Sequence, residues 1–372
     1  MNEITWLEIS KKALQNNVSE IKRVLGETKL AVNLKANAYG HGLAKIAPIF
    51  EKLGANWFCV NSAEELSIIR KSKVNLPVLI TGHTLLGEIK EVIKLNGTFT
   101  ISSLDSLKMI ARESKKSGKT AHAHIKIDTG MSRQGIMPNE INEFLRLWTK
   151  NISIEGVCTH FATADEKLNN DYFNKQLDIF NKCASNIEKG LGKKLIKHYA
   201  NSAGALIYPQ ARMNMARVGI SAYGYYPSPE AKKILKNKIK LTPALSLKTI
   251  ISAIKTIPEN SRISYGCTYK TTKPTIIAIL PIGYYDGLDR KLSNCGEVLI
   301  SGQKAKILGR ICMNHTIVDI SKIKNVKSGD EAVIIGKQGS LEITAENLAQ
   351  KIGTINYEII TRIRENTPKY YL

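Results

Sequence analysis

No stretch of this 372-residue chain reaches the roughly 20 consecutive apolar residues that a membrane-spanning helix requires. Its first ten residues, MNEITWLEIS, carry neither the basic start nor the apolar core of a secretory signal. The expectation is a cytoplasmic protein with no membrane contact. Cysteine is sparse and scattered: Cys59, Cys158, Cys183, Cys267, Cys295 and Cys312 form no CxxC pair, which excludes a zinc knuckle and a dithiol redox motif. Cys59, Cys158 and Cys312 sit in apolar runs and read as small buried hydrophobes. The seven histidines show no ligand spacing; His122 and His124 alternate on one strand, but no carboxylate or thiol is placed to complete a site, so no metal is expected. Neither GxGxxG nor GxxxxGKS/T occurs, which removes support for a dinucleotide or a nucleoside triphosphate.

Acidic residues are outnumbered 32 to 54 by Lys and Arg, for a net charge of +22. Such an excess suits nucleic acid, but the lysines are spread along the chain. KKILKNKIK (232–240) is the only dense run, and no nucleic-acid-binding motif accompanies it. A lysine-rich solvated surface that attracts anionic ligands, with no nucleic-acid partner, is the better reading.

What is present is enough apolar content, 43%, for a full core, and a length that suits two to three domains. Apolar and β-branched runs alternate with helical patterns over the first 235 residues. The strand candidates are 29–35, 57–61, 77–82, 98–102, 121–128, 154–160, 195–201 and 215–221. Leu14, Val18, Ile21 and Leu25 after a capping Ser10, and Leu43, Ile46, Phe50 and Leu53, mark two of the helices between them. Eight strands separated by helices predict parallel pairing, and eight closes a (β/α)8 barrel. From Leu241 onward, strands follow one another across short turns, which predicts a mostly antiparallel β domain with one helix near 344–352. The stretch PSPEAKKILKNK (227–238) reads as the junction, giving a barrel over 1–238 and a β domain over 239–372.

Barrel active sites form at the C-terminal ends of the strands. Those ends carry Lys35 and Tyr39, then Lys126, Asp128 and Arg133, then His160, Asn201 and Ser202, and finally Arg217 and Gly219. A lysine at a strand mouth among small residues, as in AVNLKANAYGHG (31–42), is where an enzyme holds an amine for Schiff-base chemistry. Ser202 and the backbone amides near Gly219 and Ile220 suit a phosphate. A Schiff-base lysine beside a phosphate cup points to pyridoxal 5'-phosphate.

With those residues in view, the chain resembles the alanine racemases from end to end. The landmarks are AVNLKANAYGHG, HIKIDTGMSRQGI (124–136), EGVCTHFATADE (155–166), YANSAGAL (199–206), MARVGISAYGYYPS (215–228), ISYGCTY (263–269), PIGYYDG (281–287), GRICMNHTIVDI (309–320), GDEAVIIG (329–336) and GTINYEI (353–359). The resemblance implies an isomerase interconverting L- and D-alanine, and so supplying D-alanine for peptidoglycan. It implies Lys35 as the cofactor lysine and the base on the D face of the substrate, and Tyr265 as the base on the L face. Removal of a proton from one side of Cα and its return from the other calls for two bases on opposite faces. A phenol ordinarily titrates near 10, so Tyr265 needs tuning, and the resemblance links it to His160 and Arg217.

The resemblance further implies that Arg217 bonds the pyridine nitrogen, and that Tyr39, Asn201, Ser202, Gly219, Ile220 and Tyr357 help hold the cofactor, most of them at its phosphate. Arg133 and Met313 fall near the substrate carboxylate, and Tyr284 lines the entrance. Lys126, crowded against Arg133, is either carbamylated, as in well-known members, or an ordinary ammonium paired with Asp128. A head-to-tail homodimer follows too, with the β domain of one chain bringing Tyr265 to the Lys35 of its partner.

One position departs from the family: Asn314 stands where Cys-Met-Asp is common. A racemase for serine, lysine or a wider range of amino acids is the alternative. A basic amino-acid decarboxylase fits less well, given SYG, GTINYEI and the lack of an acidic partner for the pyridine nitrogen. A non-catalytic pyridoxal-phosphate carrier would lack the second domain.

Overall fold

The computed structural model describes residues 3–166 and 171–372. They fall into two compact units: one spans Leu14–Ala38 and Leu43–Thr242, and the other holds the described residues through Ala13, Tyr39–Gly42 and Pro243–Leu372.

The first unit is the expected barrel. After β1 (Thr5–Ile9), which belongs elsewhere, its strands are β2 (Lys29–Asn33), β3 (Trp57–Val60), β4 (Val78–Ile80), β5 (Thr98–Ile101), β6 (Ala121–Lys126), β7 (Ile152–Cys158), β8 (Ile196–His198) and β9 (Met215–Val218). They pair in parallel in the order β8-β7-β6-β5-β4-β3-β2-β9. Two amides close the ring between the end strands: Asn214 donates to the Lys197 carbonyl at 3.3 Å and Arg217 to the Ala200 carbonyl at 3.0 Å. Every residue of β3, β4 and β9 is buried, as strands covered on both faces must be.

Inside the barrel, Ala31, Trp57, Cys59, Leu79 and Met215 form one apolar cluster. His124 enters beside it, its ring 5.2 Å from that of Trp57. The neighbouring strand makes room with Gly156, where a Cβ would lie 2.8 Å from the imidazole. Outside, the helices show the expected periodicity, with Leu43, Ile46 and Phe50 buried along Leu43–Lys52.

The second unit is built on a ten-stranded sheet. Its path runs through Ala253–Ile257, Thr275–Leu280, Thr316–Asp319, Gln303–Ile307, Glu297–Ile300, Glu331–Gln338, Leu245–Ile250, β1 and Lys369–Tyr371, with Leu341–Ile343 beside Glu331–Gln338. All of these pairings are antiparallel except β1 with Lys369–Tyr371.

Two boundaries differ from the expected 238/239 division. The described residues through Ala13 join the β unit, because β1 pairs with Leu245–Ile250 in the register Leu7↔Leu247 and so adds a strand to that sheet. The supposed junction instead holds a helix, Pro229–Leu235, capped by Ser228 and buried through Ala231 and Leu235, and the division falls after Thr242. A second short helix, Asn356–Thr361, follows Ala345–Ile352 and carries Tyr357.

Candidate active site

At the C-terminal mouth of the barrel, Lys35 stands half-buried, one residue, Leu34, past the end of β2. The next four residues, Ala36, Asn37, Ala38 and Tyr39, have φ between 52° and 54°, a left-handed turn built without glycine. Such a conformation costs a non-glycine residue roughly 1–2 kcal/mol. Burial, then the Arg133 charge, lowers the Lys35 amine below its ordinary range; Arg217 adds to this, while Cys59 and Glu65 oppose it.

Arg217, on β9, is buried, and its partners are all neutral. Nη1 donates to the His198 carbonyl at 2.8 Å and to His198 Nδ1 at 2.5 Å. Nη2 donates to the Thr159 carbonyl at 2.7 Å, and at 3.4 Å to the Tyr199 carbonyl and His160 Nδ1. Because a guanidinium only donates, His198 Nδ1 accepts, and its Nε2 donates to His124 Nδ1 at 2.7 Å. Burial, then Arg217, holds His124 down to about 3 and His198 well below its ordinary value, so both rings are neutral. His160 is likewise lowered, by burial and then by Arg217 and Arg133.

Lys126 ends β6 with 9% exposure, and its amine donates to Gln134 Oε1 at 3.0 Å. The pairing with Asp128, one of the two alternatives for Lys126, is not formed: the Asp128 carboxylate turns back to accept the Gly130 and Ser132 amides at 2.9 and 3.1 Å. His122, expected to lack a nearby carboxylate, bonds Glu155 at 2.6 Å, yet no group of three metal-ligating residues forms among the described residues.

Asn201 caps the helix Ser202–Ile207, its Oδ1 accepting the Gly204 amide at 2.9 Å. Ser202 Oγ accepts the Gly219 amide at 2.9 Å, which joins this helix to the turn Ile220–Tyr223 and leaves the serine proton to donate. Ser221 Oγ is buried in that turn with no hydrogen-bond partner among the described residues. A buried hydroxyl with no partner and a second with a donor to spare fit an anionic group such as a phosphate.

The β unit holds the remaining expected residues. Tyr265 is 69% exposed, on a turn where Ser264, Gly266 and Cys267 all have positive φ. Ser264 Oγ anchors the turn by donating to the Arg310 carbonyl at 2.5 Å. Tyr265, Tyr284, Arg290 and Ile311 line an open recess of about 580 Å³. The Tyr284 and Tyr285 amides bond the Cys312 and Met313 carbonyls, and Met313 itself is exposed. Cys312, expected to be buried, is only half-buried, because its strand-like run ends in this turn. Tyr39 and Tyr357 come together with ring centroids 6.2 Å apart.

A family model described as the N-terminal domain of alanine racemase matches residues 9–227, and one described as its C-terminal domain matches 244–371. The chain belongs to the alanine racemase family. It is 38% identical to an alanine racemase of Methanococcus maripaludis, over 99% of this chain and 98% of the relative. It is 40% identical to alanine racemase 2 of Caldanaerobacter subterraneus subsp. tengcongensis, over 99% and 95%. A solved alanine racemase of Clostridium difficile 630 superposes with a TM-score of 0.94 at 36% identity, covering 100% of this chain and 96% of that one. The chain is thus a pyridoxal 5'-phosphate-dependent isomerase acting on alanine, and the broader-specificity alternative is not favoured. No helix among the described residues is long and apolar enough to cross a membrane.

Sequence reasoning passed over Glu65, His198 and Thr159. The signal for His198 lay in its strand, where an inward-facing imidazole among apolar residues needs a partner.

Proposed function

We propose that the chain racemises alanine with two bases, Lys35 on the D face of Cα and Tyr265 on the L face. The observation that carries this reading is the place of Lys35, half-buried at the mouth of the barrel, where burial and the charges of Arg133 and Arg217 shift its amine toward the neutral, proton-accepting form. When bound, pyridoxal phosphate supplies the electron sink that lets the Cα proton leave. Lys35 would hold that cofactor; Asn201, Ser202, Gly219, Ile220, Tyr39 and Tyr357 would hold it mainly through its phosphate, and Arg217 would bond the pyridine nitrogen with His160 beside it. A guanidinium does not give up its proton, and its neutral hydrogen-bond partners leave its full positive charge in place. Protonation of that nitrogen is thereby disfavoured, which suits rapid return of the proton to carbon. Arg133 and Met313 would bind the alanine carboxylate and its surroundings, Tyr284 would line the entrance, and Lys126 would carry a carbamate facing Arg133.

The active unit in this reading is a cytoplasmic homodimer with shared sites, the 239–372 domain of one chain bringing Tyr265 to the barrel of the other. The support is that Tyr265 is exposed on a recess of its own unit, and that all six cysteines are free, as a reducing compartment keeps them. Mixing inactive Lys35→Ala chains with inactive Tyr265→Phe chains gives heterodimers with one doubly damaged site and one intact site. Racemisation should return on mixing; a mixture that stays dead after proven subunit exchange refutes the shared site.

A further inference from the structure

The turn that follows Lys35 poses a physical problem. Four consecutive residues, none of them glycine, lie in the left-handed region, where such residues visit singly and not in runs. Something outside the turn must hold it. Within it, the Ala38 amide donates to the Leu34 carbonyl at 2.8 Å, and Asn37 Oδ1 accepts the Leu43 amide at 2.7 Å. A further tie, on the first amide of the turn, comes from 29 residues away: Glu65 Oε1 accepts the Ala36 amide at 2.7 Å.

Glu65 sits where it would ordinarily do something else. It is the third residue of the helix Ala63–Lys71, and Ser62 caps that helix by accepting the Glu65 amide at 3.3 Å. In a Ser-x-x-Glu capping box, the glutamate returns the favour to the amide of the capping serine. Here Oε2 bonds the amide one residue earlier, that of Asn61, at 2.6 Å, and Oε1 reaches across to Ala36. Both bonds are short and charge-assisted, and their joint effect is to tie the end of β3 to the residue that follows Lys35.

We propose that Glu65 is a positioning residue for Lys35, its carboxylate clamping the Ala36 and Asn61 amides together so that the left-handed turn keeps the Lys35 amine in one direction. The inference rests on the reading of Lys35 as the cofactor lysine. The titratable groups acting on the amine are Arg133 and Arg217, which disfavour its ammonium form, and Cys59 and Glu65, which favour it; loss of Glu65 therefore changes charge as well as geometry.

The test separates the two by working on the high-pH plateau, where every Lys35 amine is neutral. Full-length protein stripped of cofactor is mixed with pyridoxal phosphate, the adduct is trapped with borohydride at intervals, and its position is mapped by peptide mass. Glu65→Ala should slow capture at Lys35 by about tenfold or more, the size expected when charge-assisted bonds that order a turn are lost. Glu65→Gln, which can accept only one of the two bonds, should fall between. Ser62→Ala removes the cap of the same helix and leaves the clamp in place; it should lower thermal stability while capture stays within twofold of the parent.

Parent-like capture in Glu65→Ala, or equal slowing in Ser62→Ala, overturns the proposal. If Glu65→Ala does not fold, the comparison is made with Glu65→Gln, whose parent-like rate has the same force. Failure of the underlying reading looks different: Lys35→Ala would then still yield a reduced adduct at the same site, or the parent adduct would map elsewhere.

Discussion

Bicarbonate at pH 7.5 should convert Lys126 into its carbamate. Carbon dioxide attacks only a neutral amine, and an ordinary lysine is neutral in about one molecule in a thousand at that pH. Burial pushes the Lys126 ammonium down to about 8; Arg217 and Arg133 add to this, while Cys158 and Asp128 oppose it. At pH 7.5 such an amine is neutral in about one molecule in four, roughly a 200-fold gain in the reactive form. One proton leaves to free the amine and a second leaves the nitrogen as the N–C bond forms, so a positive charge becomes a negative one in the surroundings of Arg133 and Arg217. Carbon-13 bicarbonate should therefore give a carbamate carbonyl resonance that is absent in Lys126→Met. The same shift makes a stability prediction for protein kept free of carbon dioxide. The folded value lies below the unfolded one, so the unfolded chain binds more protons between about 8 and 10.5. Stability attributable to this lysine should rise with pH across that window, by up to about 3 kcal/mol, and the rise should vanish in Lys126→Met. No resonance in excess bicarbonate, or an equal one in Lys126→Met, refutes the argument.

Gly283→Ala should destabilise the β unit by about 2–4 kcal/mol, read as a fall in the thermal midpoint of about 5 °C or more. The added Cβ would lie 2.2 Å from the Cys312 carbonyl and 2.3 Å from that of Met313, both backbone atoms that cannot swing aside. The same change should raise KM by disturbing Tyr284 and Met313. Phe50→Ala empties a fully buried site where the ring stands edge-on to Tyr223 at 5.6 Å, and urea unfolding should show a loss of about 3–5 kcal/mol. Arg217→Lys cannot serve both faces of the fork, so an acceptor among His198 and Thr159 goes unpaired. Urea unfolding should show a cost of about 1–3 kcal/mol.

The alternation of buried strands with amphipathic helices from Lys29 to Val218 was legible in the chain because each element writes its own period into consecutive residues. Lys35, the proposed cofactor lysine, was open to reading for a similar reason: AVNLKANAYGHG is local, and so is the ISYGCTY turn that bears Tyr265. Local pattern determined that much about this protein. It could not tell that Thr5–Ile9 leaves the barrel, since a half-buried strand reads the same whichever sheet it joins; pairing with Leu245–Ile250 decided that. Nor could it tell that Ala36 to Tyr39 wind left-handed, because nothing in an Ala-Asn-Ala-Tyr run prefers that conformation, and the carboxylate that holds its first amide is 29 residues away. The neutral partners of Arg217 come from β8 and from the end of β7, and His124 meets His198 across 74 residues. Those contacts exist only because the strands close into a ring, and closure sums many weak pairings that no single segment encodes.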